Sequence, residues 1–481
     1  MSEETISASV LSSFPFADER KLDVLLQAAL SSDHEKFIVL DDDPTGVQTV
    51  HDVHVYTHWD VDSIRQGLEE DSRIFYILTN SRGMTEDETT RIHREILANA
   101  QTAANEIPNH PSYSFISRSD STLRGHFPLE TEILREGMEK NGIRVDGEIL
   151  IPFFKEGGRF TIHNTHYIKY GDKLVPSAET EFAKDPTFGY THSDLPAYIE
   201  EKTGGRYPAK DVVCISLDDL RAWRIGTIEQ QLMHVHSFNK VVVNAVDYCD
   251  LEVFCIALCH ALKQGKHFLY RTAASFVKVI GAISDKPLLS RDDMIHSSST
   301  NGGIIVVGSH TEKTTSQLRE LLKLPDIVPV EFKSSTVLAG EDAFNKEVER
   351  CLKEEEAIIA GGKTAVAYTE RTLLSLPDDT KESALIRSVK ISDGVQRLVR
   401  DLSITPTPAF VIAKGGITSA DVGVKALGVK RALVLGQIQP GIPVWQTDPD
   451  SRFPGIPYII FPGNVGETDT LRKSVEVLQN H

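Results

Sequence analysis

Residues 37–46 read Phe37-Ile38-Val39-Leu40-Asp41-Asp42-Asp43-Pro44-Thr45-Gly46, an apolar run that stops abruptly at three carboxylates and a Pro-Thr-Gly turn. A short apolar, β-branched run closed by turn formers predicts a buried strand. The same construction recurs at 73–79 (RIFYILT), 112–117 (SYSFIS), 148–154 (EILIPFF), 211–217 (DVVCISL), 240–246 (KVVVNAV) and 267–273 (HFLYRTA). Amphipathic stretches between several of these predict helices near 85–104, 129–140 and 250–264. Strands alternating with helices are the pattern of parallel sheets with helical crossovers, so the fold class is α/β.

The alternation lapses in the polar stretch SDKPLLSRDDMIHSSSTNGG, which carries neither the helical nor the strand period and predicts a linker at 286–302. It restarts with strands at 304–309 (IIVVGS), 327–332 (IVPVEF), 365–369 (AVAYT), 409–414 (AFVIAK), 432–437 (ALVLGQ) and 458–463 (YIIFPG). Helices are expected from about Glu312 and over 467–479. With 481 residues the chain is too long for one ordinary core. The expected domains are residues 1–285 and 303–481.

A formal net charge of −18 opposes extended contact with a polyanion, which would draw its affinity from lysine and arginine. Nucleic acid and acidic membrane surfaces are therefore not expected partners. No apolar stretch is long enough for a spanning helix, and the start MSEETISASVLSS lacks a basic segment followed by an apolar one. A cytoplasmic location is expected. The five cysteines show no CxxC spacing, and Cys255 and Cys259 read as core thiols on an apolar helix. His163 and His166 lack an HExxH frame or a fixed carboxylate, so no metal site is expected.

Ligands of α/β sheets sit at the carboxyl ends of strands, which directs attention to the polar clusters following the apolar runs. Three adjacent carboxylates at 41–43 repel one another unless cations or donors compensate them. The next strand ends in Thr79-Asn80-Ser81-Arg82-Gly83, whose Arg82 could hold a carboxylate with its planar fork. After 112–117 come Arg118, Ser119, Asp120, Ser121, Thr122, Arg124 and His126, a density of short donors suited to a polyhydroxylated anion. Gly157, Gly158, Arg159, Thr161 and His163 follow the 148–154 strand. The second half differs, because glycines rather than acids follow its strands: Gly308-Ser309, Gly415-Gly416-Ile417-Thr418, then Gly436 and Gly441. Glycine turns leading into helices let a backbone approach phosphates, which favours a nucleotide. Neither GxxxxGK[ST] nor GxGxxG is present.

The DD-x-TG segment at 42–46, Ser81-Arg82, the DSTLRG run at 120–125, Gly158-Arg159, GG-x-T at 415–418 and GQI-x-PG-x-P at 436–443 together resemble the four-carbon acid sugar kinases. That family phosphorylates threonate, erythronate or 3-oxo-tetronate with ATP. The resemblance covers most of the chain. It implies two α/β domains with mainly parallel sheets flanked by helices, the N-terminal one binding the sugar acid, the C-terminal one the nucleotide, and the active site in the interdomain cleft. It implies substrate contacts from Asp42 or Asp43, Arg82, and Arg118 through Thr122 (Ser119 and Ser121 included), with Arg124 and Arg159 beside them. Nucleotide contacts would come from Ser309, Gly415, Gly416, Ile417, Thr418, Gly436 and the turn Gly463-Asn464-Val465-Gly466. Pro44 and Ile417 stand where many relatives have Phe and Glu.

A kinase must align an acceptor hydroxyl with the γ-phosphate and neutralise developing charge. Asp43 and Asp120 are the candidates for the catalytic base, Arg82 and Arg118 for the carboxylate clamp, and Mg²⁺ would bridge the phosphates of ATP. The sugar acid and ATP are the expected partners, and a homodimer is possible. Two other readings fit part of the pattern: an ATP-dependent ligase activating the carboxylate, and a non-catalytic sugar-acid sensor.

Overall fold

The computed structural model describes residues 4–14, 18–32, 34–296, 299–372, 374, 376, 379–463 and 465–479. The chain divides into two compact units, one of residues 1–50 and 58–285, the other of residues 51–57 and 286–481.

The first unit is built on seven parallel strands in the spatial order Val213–Ile215, Asn239–Val243, Gly147–Ile151, Phe268–Thr272, Tyr113–Arg118, Lys36–Asp41 and Ile74–Leu78. Strands 74–78, 113–118, 147–151 and 268–272 are buried at every position, as expected of a parallel sheet covered on both faces. One group of helices comprises Val61–Glu69, Glu86–Glu106 and Leu129–Lys140; another gathers Glu19–Ser31, Leu217–Arg221, Ile225–Met233 and Ala274–Ile280 around Tyr248–Lys263. Two of the longest helices start with reciprocal caps. Thr85 and Glu88 close one, Asp247 and Asp250 the other, satisfying backbone donors that the first turn leaves open. Sequence periodicity did not predict the small antiparallel sheet of Ile6–Ser7, Lys173–Pro176, Thr165–Tyr170 and Arg159–Ile162. Its strands are short, and they alternate too briefly to separate from a loop.

The second unit has five parallel strands in the order Pro457–Phe461, Val411–Lys414, Ile304–Val307, Thr364–Thr369 and Ile327–Phe332. Strand 457–461 also pairs antiparallel with Ile442–Gln446, which pairs with Arg431–Gln439, which pairs with Val53–Tyr56. The last of these comes from the N-terminal part of the chain, so one segment of this unit precedes most of the first unit in sequence. The stretch read as a linker packs as well: Leu289, Met294 and Ile295 lie in the second unit's core, and the Leu289 amide donates to the Gln437 carbonyl at 2.8 Å. Polar composition hid three apolar anchors. Among the described residues no helix is long and apolar enough to cross a membrane.

Candidate functional site

In the first unit, strands 268–272, 113–118, 36–41 and 74–78 are consecutive neighbours. Their carboxyl ends therefore deliver Arg271, the 118–125 loop, the 41–46 turn and the 79–83 turn to one place. Backbone hydrogen bonds tie these ends together: Thr79 N–H donates to the Asp41 carbonyl (2.9 Å), Asp42 N–H to Arg118 (3.3 Å) and Ser119 N–H to Thr272 (2.9 Å).

The arginine at the centre is Arg82. Its Nε and Nη2 donate to the two oxygens of Asp42 at 3.1 and 2.5 Å, and Nη1 reaches Asp43 Oδ2 at 3.2 Å. Asp43 Oδ1 takes both the amide (2.8 Å) and hydroxyl (2.5 Å) of Thr45. Burial opposes the charge on Asp43, but Arg82 and Thr45 outweigh it and hold the carboxyl below its usual range. Ser119 Oγ donates to Asp42 Oδ2 at 2.9 Å. Arg118 is buried and pairs with Asp41 at 3.2 Å. Asp41 turns beneath its own turn: a Cβ on Gly46 would fall 1.9 Å from Asp41 Oδ2, which is why glycine closes this segment. Burial, against the pull of Arg118, pushes the Asp41 carboxyl up to about 8.

Asp120 Oδ2 accepts from Arg124 Nε at 2.6 Å and from the Thr122 hydroxyl. Burial works against ionisation here too, yet Arg82 and Arg124 hold Asp120 far below the ordinary carboxylate range. Its Oδ1 has no hydrogen bond among the described residues. Ser121 enters through its carbonyl, which accepts from His166 Nε2 at 2.8 Å. Burial drives His166 down to about 4, so the imidazole is a neutral, internally satisfied support.

Arg159 differs from its neighbours in charge pairing rather than in its Nε, since Arg118 Nε is likewise buried without an acceptor. One Nη donates to the Gly157 carbonyl and the guanidinium stands 5.9 Å from the Phe182 ring centre, but its Nε is buried with no acceptor. It has no ion-pair partner among the described residues, and burial lowers its pKa although Asp120 pulls the other way. Arg124 faces the same ring at 5.1 Å. In the same cluster Glu130 accepts from Ser81 (2.6 Å) and Ser117 (2.9 Å) and pairs with Arg271 at 3.4 Å.

In the second unit the carboxyl ends of 304–307, 411–414 and 457–461 are likewise adjacent, bringing Ser309, Gly415–Thr418 and Gly463 together. Gly308 is needed for packing, because a Cβ there would lie 2.4 Å from Thr418 Oγ1. Gly415 has φ 126°, open to glycine almost alone. Gly416 and Gly463 have ordinary φ; a Cβ on Gly416 would meet nothing within 4 Å and one on Gly463 only Ser309 Oγ at 3.8 Å. The fold does not require glycine at either position, whereas a backbone approached by a phosphate does. The surrounding groups suit an anion: the hydroxyls of Ser309 and Thr314, 3.2 Å apart, with Thr418 beside them. Ile417 is 78% exposed. Gly466 adjoins Thr470, while Gly436 sits in the 431–439 strand against Lys286 and Leu289, with no contact to the Ser309 group. Asn464 lies outside the described residues. Among the described residues no set of three or more His, Cys, Asp or Glu is arranged to hold a metal ion.

Sequence reading missed Glu130 and Arg271 in the first unit, and Lys414 and Arg371 in the second. Arg271 and Lys414 carried a usable signal, a charge inside or ending an otherwise apolar strand. The other two carried none.

A sequence family described as a sugar-binding N-terminal domain matches residues 37–280, and one described as a nucleotide-binding C-terminal domain matches residues 304–471. No curated protein matches the chain. Among solved structures, Haemophilus influenzae protein HI1011, of the family DUF1537, is similar with a TM-score of 0.60 at 16% identity over 92% of this chain and 100% of that one. A putative tRNA synthase from Salmonella typhimurium LT2 is similar with a TM-score of 0.64 at 14% identity, over 92% and 99%. At these identities the likeness is one of fold.

Proposed function

Since the chain belongs to the family that joins a sugar-binding N-terminal domain to a nucleotide-binding C-terminal domain, the architecture of the four-carbon acid sugar kinases, we propose that it transfers the γ-phosphoryl group of ATP to a hydroxyl of a four-carbon sugar acid. Threonate, erythronate and 3-oxo-tetronate are the candidate acceptors, and the cytoplasm, where ATP is made available, is the proposed location. The observation that carries this reading is Arg159, a cation without an acidic partner in a pocket whose other arginines are already paired. A substrate carboxylate supplies the missing charge.

In this reading Arg159 anchors the acid, with Arg124 and Phe182 lining the same wall. Arg82 and Arg118 hold Asp42, Asp43 and Asp41 in place rather than gripping substrate directly. Asp120 Oδ1 is the open acceptor for the attacking hydroxyl, and Asp43 reads a neighbouring hydroxyl. Both carboxylates are ionised at neutral pH, and both are weak bases. That suits phosphoryl transfer, whose loose transition state asks for alignment and charge stabilisation more than for early deprotonation. Ser309, Gly415, Gly416, Thr418 and Gly463 would hold ATP. Mg²⁺ would ride on its phosphates and water, which needs few protein ligands.

The test is an ATP-consumption screen over D- and L-threonate, D- and L-erythronate and 3-oxo-tetronate, with the product isolated. A stable phosphate ester is expected. An acyl phosphate trapped by hydroxylamine would assign a ligase instead, and acid binding without ATP consumption a sensor.

A further inference from the structure

Lys414 ends strand 411–414 and is completely buried. Its ammonium donates to the carbonyls of Pro462 (2.6 Å) and Gly463 (3.2 Å) and lies 4.3 Å from the Phe461 ring centre. No carboxylate pairs with it among the described residues. Burial, with Lys313 of helix Glu312–Leu321 adding repulsion, pushes the amine down to about 7. Removing a charge from water without a counter-ion is costly, and an apolar side chain of similar length would fill the same space without that cost.

Arg371, just past strand 364–369 and half-buried, is a second cation without a carboxylate partner among the described residues. Its Nη2 donates to the Ser309 carbonyl (2.5 Å) and Thr315 Oγ1 (3.0 Å), and Nε reaches Thr315 at 3.3 Å. Nη1 is buried with no acceptor. No ion pair forms among the described residues, and burial lowers its pKa. In a chain where 69 Asp and Glu outnumber 51 Lys and Arg, a buried lysine and a half-buried arginine left without carboxylates among the described residues at one place call for a common explanation.

Ser309 connects them. Arg371 holds its carbonyl, Gly415 packs against its side chain, and Gly463, whose carbonyl takes the Lys414 ammonium, faces its hydroxyl. Lys414 therefore touches the backbone at Gly463, and Arg371 holds the same Ser309 that Gly463 faces. A ligand completing this arrangement must carry several negative charges over a short length and offer acceptor oxygens to backbone N–H groups. A nucleoside offers no charge, and a single carboxylate would satisfy one cation of the two. A di- or triphosphate meets all the conditions.

We propose that Lys414 and Arg371 bind the phosphate chain of the nucleotide, Lys414 from beneath the Gly415 and Gly463 turns and Arg371 from the Ser309 side. This rests on the nucleotide-binding reading of the second unit. It goes beyond the glycine turns by naming the charges that replace a P-loop lysine in a fold without a P-loop.

The full chain, its Lys414→Met, Arg371→Met and Arg371→Lys variants would be titrated by calorimetry with adenosine, AMP, ADP and a non-hydrolysable ATP analogue. Each Met variant should lose about ten- to hundred-fold in affinity for ADP and the ATP analogue, the scale of one charge-assisted hydrogen-bonding group. Adenosine affinity should be unchanged, and Arg371→Lys should recover part of the loss. On the unaltered protein, affinity should climb from adenosine to ADP, with a gain that shrinks as salt is raised. This series and Arg371→Met decide the matter even if Lys414→Met does not fold. Equal losses for adenosine and ADP would reduce both residues to structural supports and overturn the proposal, as would a phosphate-independent affinity in the unaltered protein. An unaltered protein that binds none of the four ligands would instead overturn the nucleotide reading on which the proposal stands.

Discussion

The two candidate sites sit at the same place in the same kind of sheet, yet they treat charge in opposite ways. In the first unit Arg82, Arg118 and Arg124 are matched with Asp42 and Asp43, Asp41 and Asp120, leaving Arg159 as the cation without a partner. In the second unit Lys414 and Arg371 both lack one among the described residues, and glycines expose backbone where the fold does not need them. A pocket already neutralised from within can read hydroxyls and one carboxylate with little net field. A pocket left positive waits for a polyanion.

The largest effect expected from breaking this contrast is at Asp120. Asp120→Asn keeps the shape but weakens the acceptor aligned on the hydroxyl, and kcat for acid phosphorylation should fall about 10²- to 10⁴-fold. Near-normal turnover in both Asp120→Asn and Asp43→Asn would remove these carboxylates from the chemistry. Next comes Arg159→Met, which should raise KM for the acid about ten- to hundred-fold and leave KM for ATP alone. Arg159→Lys should recover part of the affinity, because charge survives although the planar fork does not. A rise in both KM values would show a disturbed fold instead.

Glycine substitutions sharpen the comparison further, because the same change should act on different properties in the two units. Gly46→Ala forces a Cβ against the buried Asp41 carboxyl, and unfolding should be easier by about 1–3 kcal/mol, as for other overpacked sites. Gly463→Ala meets only Ser309 Oγ at an ordinary 3.8 Å and should leave denaturation midpoints almost unmoved while weakening ATP. Destabilisation by Gly463→Ala would return that glycine to the fold.

Most strands and several helices were legible because buried parallel strands are continuous apolar runs and helices such as 86–106 are amphipathic, but the long helices Glu341–Ala360 and Lys381–Arg400 were not named. The acid cluster was legible for a related reason: Asp41–Asp43 and Arg118–Arg124 crowd charges directly after strands, where ligands bind. What each charge does was not legible. Arg82 and Arg159 look equivalent in sequence, and only the distances separate an arginine locked between two aspartates from one with an open donor. Strand 53–56 and the 286–302 stretch were missed because pairing over hundreds of residues leaves no local period, and because Leu289, Met294 and Ile295 are too sparse to mark a core. Glu130 supports the Ser81, Ser117 and Arg271 cluster from the first turn of a helix, where a glutamate would be expected anyway.

The smallest effect tests whether an unpartnered charge is always a waiting ligand site. Glu355 of helix Glu341–Ala360 points into the second unit's interior, in line with Phe344, Val348, Cys351 and Ile359. Both carboxyl oxygens are buried without a hydrogen bond. Burial, with Glu356 and Glu354 adding repulsion, holds its pKa well above the usual value. Such a group stays protonated rather than waiting for a cation. Below the unfolded pKa both states carry the proton, and the contribution of Glu355 to stability is full. Above it the unfolded chain releases the proton while the folded one retains it, so stability falls with pH, by up to about 1.4 kcal/mol per unit, until the folded group ionises too. Glu355→Gln cannot ionise. Urea denaturation should therefore find the variant close to the unaltered protein at acid pH and increasingly more stable than it towards neutrality. A pH-independent difference between the two would mean that Glu355 has a partner and belongs with the paired carboxylates of the first unit.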